Sequence, residues 1–182
     1  MEFTIREARP GDEHGWVDIA WARWHDTYGH HLGDGYFTQE RRANWLSGWA
    51  KAFTDAQAAA EARQSSGEPP PENPTRRYVA EDGSGRIVGI ALAGPPATQG
   101  HPMAPVMECE LHILYVSVDA QGTGVAQALT DAVLPDNQPA QLWVSADNHR
   151  AHAFYRKVGF APDGAEGMYN GMIPEIRMVR GA

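Results

Sequence analysis

The sequence predicts a mixed fold of strands and helices, α/β or α+β, and three observations carry the prediction. Residues 111–129 pass from a β-prone apolar stretch (Leu114, Val116, Val118) through Gln121-Gly122-Thr123-Gly124 into helical spacing at Val125, Ala128, Leu129, Ala132 and Val133. Gln141-Leu142-Trp143-Val144-Ser145 is a short apolar strand, followed by helical spacing at Ala151, Phe154, Tyr155 and Val158 and a terminating Gly159. Two hairpin patterns, one central and one at the end, supply the remaining strands. At 182 residues and 42% hydrophobic content, one domain spanning residues 1–182 can bury a sizeable core.

Each element follows from local pattern. Glu2-Phe3-Thr4-Ile5-Arg6-Glu7-Ala8 alternates as a first strand. Arg9-Pro10-Gly11-Asp12 is a turn with a helix cap, after which Trp16, Ile19, Ala20, Trp24 and Tyr28 recur at helical spacing. The Gly- and His-rich stretch 29–36 breaks that helix. A second helix starts with Thr38 as N-cap and Arg41 at its third position, carries Trp45 and Trp49, and extends through the Ala-rich residues 55–63. Ser-Ser-Gly and Pro-Pro-Pro make residues 64–75 an exposed flexible loop. Residues 78–81 and 86–93 flank Asp82-Gly83-Ser84-Gly85 as a hairpin, and 94–105 is a Gly/Pro-rich loop. Met168-Tyr169-Asn170-Gly171 and residues 173–179 form the last hairpin.

Charge and composition exclude several classes. A net charge of −8, with only isolated basic pairs at Arg41-Arg42 and Arg76-Arg77, speaks against nucleic acid and anionic membranes as partners. No apolar run approaches the roughly 20 residues that span a bilayer. The first residues lack the basic and apolar regions of a signal peptide. Cys109 is the single cysteine, which excludes an intramolecular disulfide and suits a reducing, cytoplasmic setting. It has no adjacent Lys or Arg and reads as a small buried residue. The spacing of His25, His30 and His31 matches no metal site, and no metal is expected.

The turn at 121–124 has a chemical use. Gly122 and Gly124 tolerate positive φ, and the helix they introduce presents free N–H groups at the positive end of its dipole, which suits a phosphate or pyrophosphate. A Walker loop needs a Lys that does not follow Gly124, and a dinucleotide fingerprint needs Gly or Ala where Gln127 stands. The segment instead reads Gln121-Gly122-Thr123-Gly124-Val125-Ala126, or Q-x-x-G-x-A. Some 20 residues on, Asn148 precedes a helix containing Phe154-Tyr155-Arg156-Lys157-Val158-Gly159-Phe160, or F-Y-x-x-x-G-F.

These two motifs, in this order and at this distance, resemble the GNAT superfamily of acetyl-CoA-dependent N-acyltransferases. The resemblance is specific over residues 110–160. It implies a mixed central sheet of six or seven strands flanked by about four helices, in the order β-α-α-β-β-β-α-β-α-β-β, with parallel fourth and fifth strands that splay apart. Acetyl-CoA is the implied cosubstrate. Its pantetheine arm would pair with strand backbone at Val116 and Val118. An N–H near Tyr115 or Val116 would receive the oxyanion. The pyrophosphate would rest on N–H groups of Gln121, Gly122, Thr123, Gly124, Val125 and Ala126. Asn148 either binds the arm or serves as a helix cap, and Phe154 would pack on the arm. Tyr155 stands where the family places the acid for the departing thiolate.

The base is open among Glu110, Glu108 and His112, which share one strand face if no bulge intervenes; Glu110 is the leading candidate. The first two helices are where the family builds its acceptor wall. They carry Trp16, Trp21, Trp24, Trp45 and Trp49, most expected in the core, with one or two joining Tyr28 or Tyr36 to hold a cationic amine. Trp24, Tyr28 and His112 are therefore the expected acceptor contacts. The expected reaction is acetyl transfer to a primary amine of a small molecule or peptide. The alternatives are a hydroxyl acceptor, another acyl-CoA, or a non-catalytic acyl-CoA-binding module. A homodimer is expected by analogy with the family.

Overall fold

The computed structural model describes residues 2–96 and 103–181. The loop read at 94–105 lies partly outside the described residues. Elements run β1 (Phe3–Glu7), α1 (Glu13–Leu32), α2 (Gln39–Ser66), β2 (Arg76–Asp82), β3 (Ile87–Gly94), β4 (Glu110–Val116), α3 (Val125–Val133), β5 (Ala140–Ser145), α4 (His149–Lys157), β6 (Ala161–Tyr169) and β7 (Ile173–Arg180). Among the described residues the strands form one seven-stranded sheet in the order β1-β2-β3-β4-β5-β7-β6, with β4 and β5 parallel and the other pairs antiparallel. The expected mixed sheet and helix order are those observed.

Helices cover both faces. On one, Val125, Leu129 and Val133 of α3 pack with Val88, Ala91, Leu111 and Val116, and Ala151, Phe154 and Tyr155 of α4 join them. On the other, Trp16 and Ala20 of α1 and Phe53 of α2 pack on Val79 and Ile90. This two-sided burial explains the near-continuous apolar run of β3.

Local boundaries differ from the sequence reading where a side chain or contact overrides propensity. Helix α1 runs through Gly29 to Leu32 rather than breaking at 29. Thr38 caps α2 by accepting the Arg41 N–H at 3.2 Å, as read, but α2 continues to Ser66. The loop therefore begins at Gly67, whose φ of 69° closes the helix. Asp12 stands at the head of α1, yet its carboxylate accepts from Arg6 at 2.7 and 2.8 Å and from the Arg9 N–H at 2.8 Å, with no side-chain capping bond. It ties β1 to the turn before α1 instead. The last hairpin begins earlier than read, at Ala161.

A β-bulge in β4 shapes the site. Leu92 and Ala93 of β3 pair with Ile113 and Leu111, leaving His112 as the extra residue. Leu111 and Leu114 both reach the α3 face although three residues separate them, whereas Ile113 and Tyr115 pack toward α1 and α2. The bulge thus puts Glu110 in step with Ile113 and Tyr115, on the side of the tryptophan-bearing helices.

Gly89 is where β3 and α3 approach most closely. A Cβ there would lie 2.9 Å from both Leu129 Cδ1 and Val125 Cγ1, and Val125 is fully buried. Gly89→Ala is expected to cost about 1–3 kcal/mol by overpacking, read as a lower urea midpoint with unchanged slope. An unchanged midpoint would show that α3 can shift without penalty.

Candidate active site

The parallel pair β4–β5 is held at Glu110 and Gln141, where the Gln141 N–H donates to the Cys109 carbonyl at 2.9 Å. Beyond that rung the described strands carry no further ladder pairs, and a cavity of about 1070 Å³ opens beside them. Ile113, Leu114, Tyr115 and Val116 of β4 line one side, and Trp143 and Val144 of β5 the other.

The α3 turn forms one end of the cavity. Gly122 and Gly124 adopt φ of 79° and 94°, and Gly124 is the N-cap. The first backbone bond within the helix runs from the Ala128 N–H to the Gly124 carbonyl at 3.0 Å, so the N–H groups of Val125, Ala126 and Gln127 have no helical acceptor. The N–H groups of Gln121 and Thr123 donate to Val118 and Ala120 carbonyls at 3.3 and 3.4 Å, so the collar is narrower than the six N–H groups expected. Gln121, Gly122, Gly124 and Ala126 line the cavity. The Val125 side chain is buried in the core instead, and the Thr123 hydroxyl donates to the Ala120 carbonyl at 2.6 Å.

Val118 departs from its expected place. Strand β4 ends at Val116, and Val118 begins a 3-10 turn with 64% of its surface exposed. It has no strand backbone to offer in the opening. Ser117 is the last residue bonded to β3, its N–H donating to the Val88 carbonyl at 2.9 Å, and its own carbonyl accepts the Ala120 N–H at 3.1 Å, which closes the turn that carries Val118 out of the strand.

Helix α4 forms the floor. Asn148 caps it by accepting the Ala151 N–H at 3.0 Å, the second of its two expected roles, and lines the cavity. Phe154 and Tyr155 line the cavity. The Tyr155 phenol is pushed up by burial and by the neighbouring Tyr115. Tyr115 accepts from Trp24 Nε1 at 2.9 Å and shares a hydrogen bond with Tyr28. Burial raises both of these phenols as well.

The opposite wall is aromatic. Trp24, Tyr28, Trp45 and Trp49 from the first two helices, Tyr36 from the turn between them and Tyr169 from β6 line it. Trp24 is the hub: its ring lies 5.0 Å from Tyr28, 5.3 Å from Trp45, 5.9 Å from Tyr36 and 6.0 Å from Tyr169. Of the five tryptophans expected mostly in the core, Trp16 is fully buried and Trp45 and Trp49 pack against the same cluster while also lining the cavity; Trp21 does not line it and packs on Phe37 and Trp45.

Two carboxylates stand at the junction of floor and wall. Glu110 is 3% exposed; its Oε2 accepts from Gln141 Nε2 at 2.7 Å and its Oε1 lies 3.0 Å from His112 Nδ1. His112 also donates through Nε2 to the Pro95 carbonyl at 3.0 Å. Glu175 on β7, absent from the sequence reading, is buried and lines the same cavity. Burial, and then the charge of nearby Glu110, push its carboxyl up to about 7. The clue was available: Ile173, Glu175 and Arg177 occupy one strand face, and an acid in step with the buried Ile173 faces inward.

The cavity therefore gathers Tyr155, Glu110, Tyr115, Val116, Gln121, Gly122, Gly124, Ala126, Asn148, Phe154, Trp24, Tyr28 and His112, and leaves Val118 and the side chains of Thr123 and Val125 outside. Glu108 does not line it. Cys109 is buried, as read, and burial raises its thiol.

Glu175 yields a stability prediction. Its carboxyl rises from 4.5 to about 7 on folding. Below pH 4.5 both states hold the proton and nothing is lost; as pH rises from 4.5 to about 7 the unfolded chain ionises while the fold keeps its proton, and above 7 the loss is complete. Glu175→Gln should therefore raise the melting temperature at pH 8, by at most about 3 kcal/mol in stability, and leave it unchanged at pH 4. An equal gain at both pH values would place the effect in packing rather than charge.

Comparison with known proteins agrees with this geometry. The family model described as "Acetyltransferase (GNAT) domain" matches residues 73–162, which take in both strand–helix motifs but neither α1 nor α2. The mycothiol acetyltransferase of Saccharomonospora viridis is 36% identical over 93 residues, which is 46% of this chain and 29% of that protein. That of an Arthrobacter species is 34% identical over 103 residues, 53% and 31% respectively. The chain thus spans under a third of the length of these curated relatives. Among solved structures, a Corynebacterium glutamicum protein described as "histone acetyltransferase HPA2 and related acetyltransferase" superposes with a TM-score of 0.61 at 22% identity, over 99% of this chain and 96% of that one. The PaiA N-acetyltransferase of Thermoplasma acidophilum, solved with coenzyme A, gives 0.58 at 17% identity, over 99% of each chain. With both motifs in place and the parallel strands parted between them, the chain belongs to the GNAT acetyltransferase family.

Proposed function

We propose that this protein transfers an acetyl group from acetyl-CoA to the primary amine of an acceptor with an apolar or aromatic body. The observation that carries the reading is the continuity of one cavity, from the α3 collar, past Tyr155 and the two carboxylates, to the aromatic wall. Pyrophosphate rests on the N–H groups at the head of α3. The pantetheine arm lies along β4 and Asn148, beside Phe154. The thioester carbonyl meets a backbone N–H at Tyr115 or Val116.

The amine enters as a cation, drawn to the faces of Trp24 and Tyr28 and to the carboxylates behind them. Glu175, whose proton affinity is raised by burial and then by the nearby charge of Glu110, accepts the ammonium proton, and Gln141 and His112 hold Glu110 in place. The neutral nitrogen attacks the carbonyl carbon, the new C–N bond forms, and the oxyanion collapses to break the C–S bond. Tyr155 gives the thiolate a hydrogen bond and then its proton, and the phenolate recovers a proton from the attacked nitrogen, which must shed one to become the amide; burial keeps the resting phenol protonated.

The aromatic wall lies outside the family match, so that match carries no reading of the acceptor. Among the described residues no helix is long and apolar enough to cross a membrane. A cytoplasmic location, where acetyl-CoA is at hand, fits the buried free thiol of Cys109. The homodimer is read by analogy, and light scattering tests it.

Free-thiol release from acetyl-CoA should depend on added amine and favour aromatic and apolar monoamines over polyamines. Tyr155→Phe should lower kcat by roughly 100- to 10,000-fold while acetyl-CoA still binds. Trp24→Ala should raise the KM of the amine about tenfold, as loss of a partly desolvated cation–π contact would. The wild-type rate should climb with pH through a midpoint near 7, and Glu175→Gln should lose that limb. Acetyl-CoA binding without turnover on any amine would instead favour a binding module.

A further inference from the structure

Outside the cavity, the structure brings together three metal-ligating side chains. His30 and His31 stand in the last turn of α1, and Asp147 lies between β5 and α4, 116 residues away in sequence. His30 Nε2 lies 2.9 Å and His31 Nε2 3.1 Å from the same oxygen, Asp147 Oδ2. One donor atom from each residue falls within 4.8 Å of the others, and this is the grouping of that kind among the described residues. The earlier dismissal of these histidines rested on their spacing, which cannot reveal a ligand from another element.

We propose that His30, His31 and Asp147 bind a first-row divalent cation, Zn²⁺ foremost. Donors bound about 2.0–2.2 Å from one ion lie about 3–3.5 Å from each other; the His31 spacing of 3.1 Å falls within that range and the His30 spacing of 2.9 Å just below it, so a small outward shift of His30 admits the ion. Two imidazoles and one carboxylate suit Zn²⁺, Co²⁺ or Ni²⁺ and disfavour Mg²⁺ and Ca²⁺, which prefer oxygen. The carboxylate is already oriented: the Ser145 hydroxyl donates to Asp147 Oδ1 at 2.5 Å, leaving Oδ2 to face the histidines. The side chains of His30 and Asp147 are 57% and 50% exposed, so an ion can enter and water can complete its coordination.

The position gives the ion a consequence. Thr27 and Tyr28, one turn before the histidines, and Asn148, next to Asp147, all line the cavity. A bound ion would clamp the end of α1 to the head of α4 across the cavity mouth, independently of which acceptor the cavity takes.

The test uses the whole protein, freed of metal with a chelator. Zn²⁺ is titrated by calorimetry, and Co²⁺ is followed by its visible absorption. One ion per chain should bind, raise the melting temperature, and be indifferent to millimolar Mg²⁺. His31→Ala and Asp147→Asn should each weaken binding by more than the roughly 10- to 100-fold that losing an outer-sphere partner costs, with Ser145→Ala falling within that range. His25→Ala, on the same helix and outside the cluster, should bind as wild type does. No binding by the wild type, or binding that survives in the His30→Ala/His31→Ala double variant, would overturn the proposal. The ligand variants alter exposed side chains at His30 and Asp147 and a half-buried one at His31, and circular dichroism checks that each is folded.

Discussion

Parallel strands β4 and β5 share a backbone rung at Glu110 and Gln141 and then separate, and the rest of the site depends on that separation. Gln141 does more than pair. Its side-chain amide donates to Glu110, while its carbonyl oxygen accepts the Val106 and Met107 N–H groups at 2.8 and 3.2 Å. The strands are therefore pinned firmly at one end, where the chain enters β4. At the other end β4 stays paired with β3 as far as Ser117 and then leaves the sheet in the turn at Val118–Ala120, and β5 runs into the cap of α4. Backbone edges that would otherwise satisfy each other are left facing an opening, which an extended amide-bearing ligand can fill.

The bulge at His112 acts on the same strand. Without it Glu110 would share a face with Leu114 and Val116 and meet the α3 core, where an ionised carboxylate has no place. With it Glu110 stays on the side of α1 and α2, near Glu175. Catalytic polarity and core packing are separated by a single extra residue. The cost of burying Glu110 is offset by Gln141 and His112. Glu175 instead responds by holding its proton to about pH 7.

The two ends of the cavity, which the proposed function gives to cofactor and acceptor, are built from different material. The collar is backbone: positive-φ glycines and helical N–H groups that are indifferent to neighbouring side chains. The opposite wall is made of aromatic side chains from α1, α2, the turn between them and β6, organised around Trp24. This division explains why family likeness concentrates in residues 73–162 and stops short of α1 and α2.

What the sequence by itself determined is what local chemistry controls. The order of strands and helices, the Thr38 cap, the Asp82 hairpin, the glycine collar and the caps of α4 each depend on neighbours a few residues apart, so motif and periodicity reveal them. Only the tertiary structure decided the rest. Val118 left its strand because Ser117 and Ala120 close a turn around it. Most of the tryptophans proved to line an opening, since helical periodicity marks an apolar face without saying what that face meets. Glu175 became a site residue because β7 lies beside β5, and Asp147 met His30 and His31 because β5 ends opposite α1. Each of these depends on contacts between residues far apart in the chain. Such contacts follow from sheet order and helix placement, which no window of sequence contains.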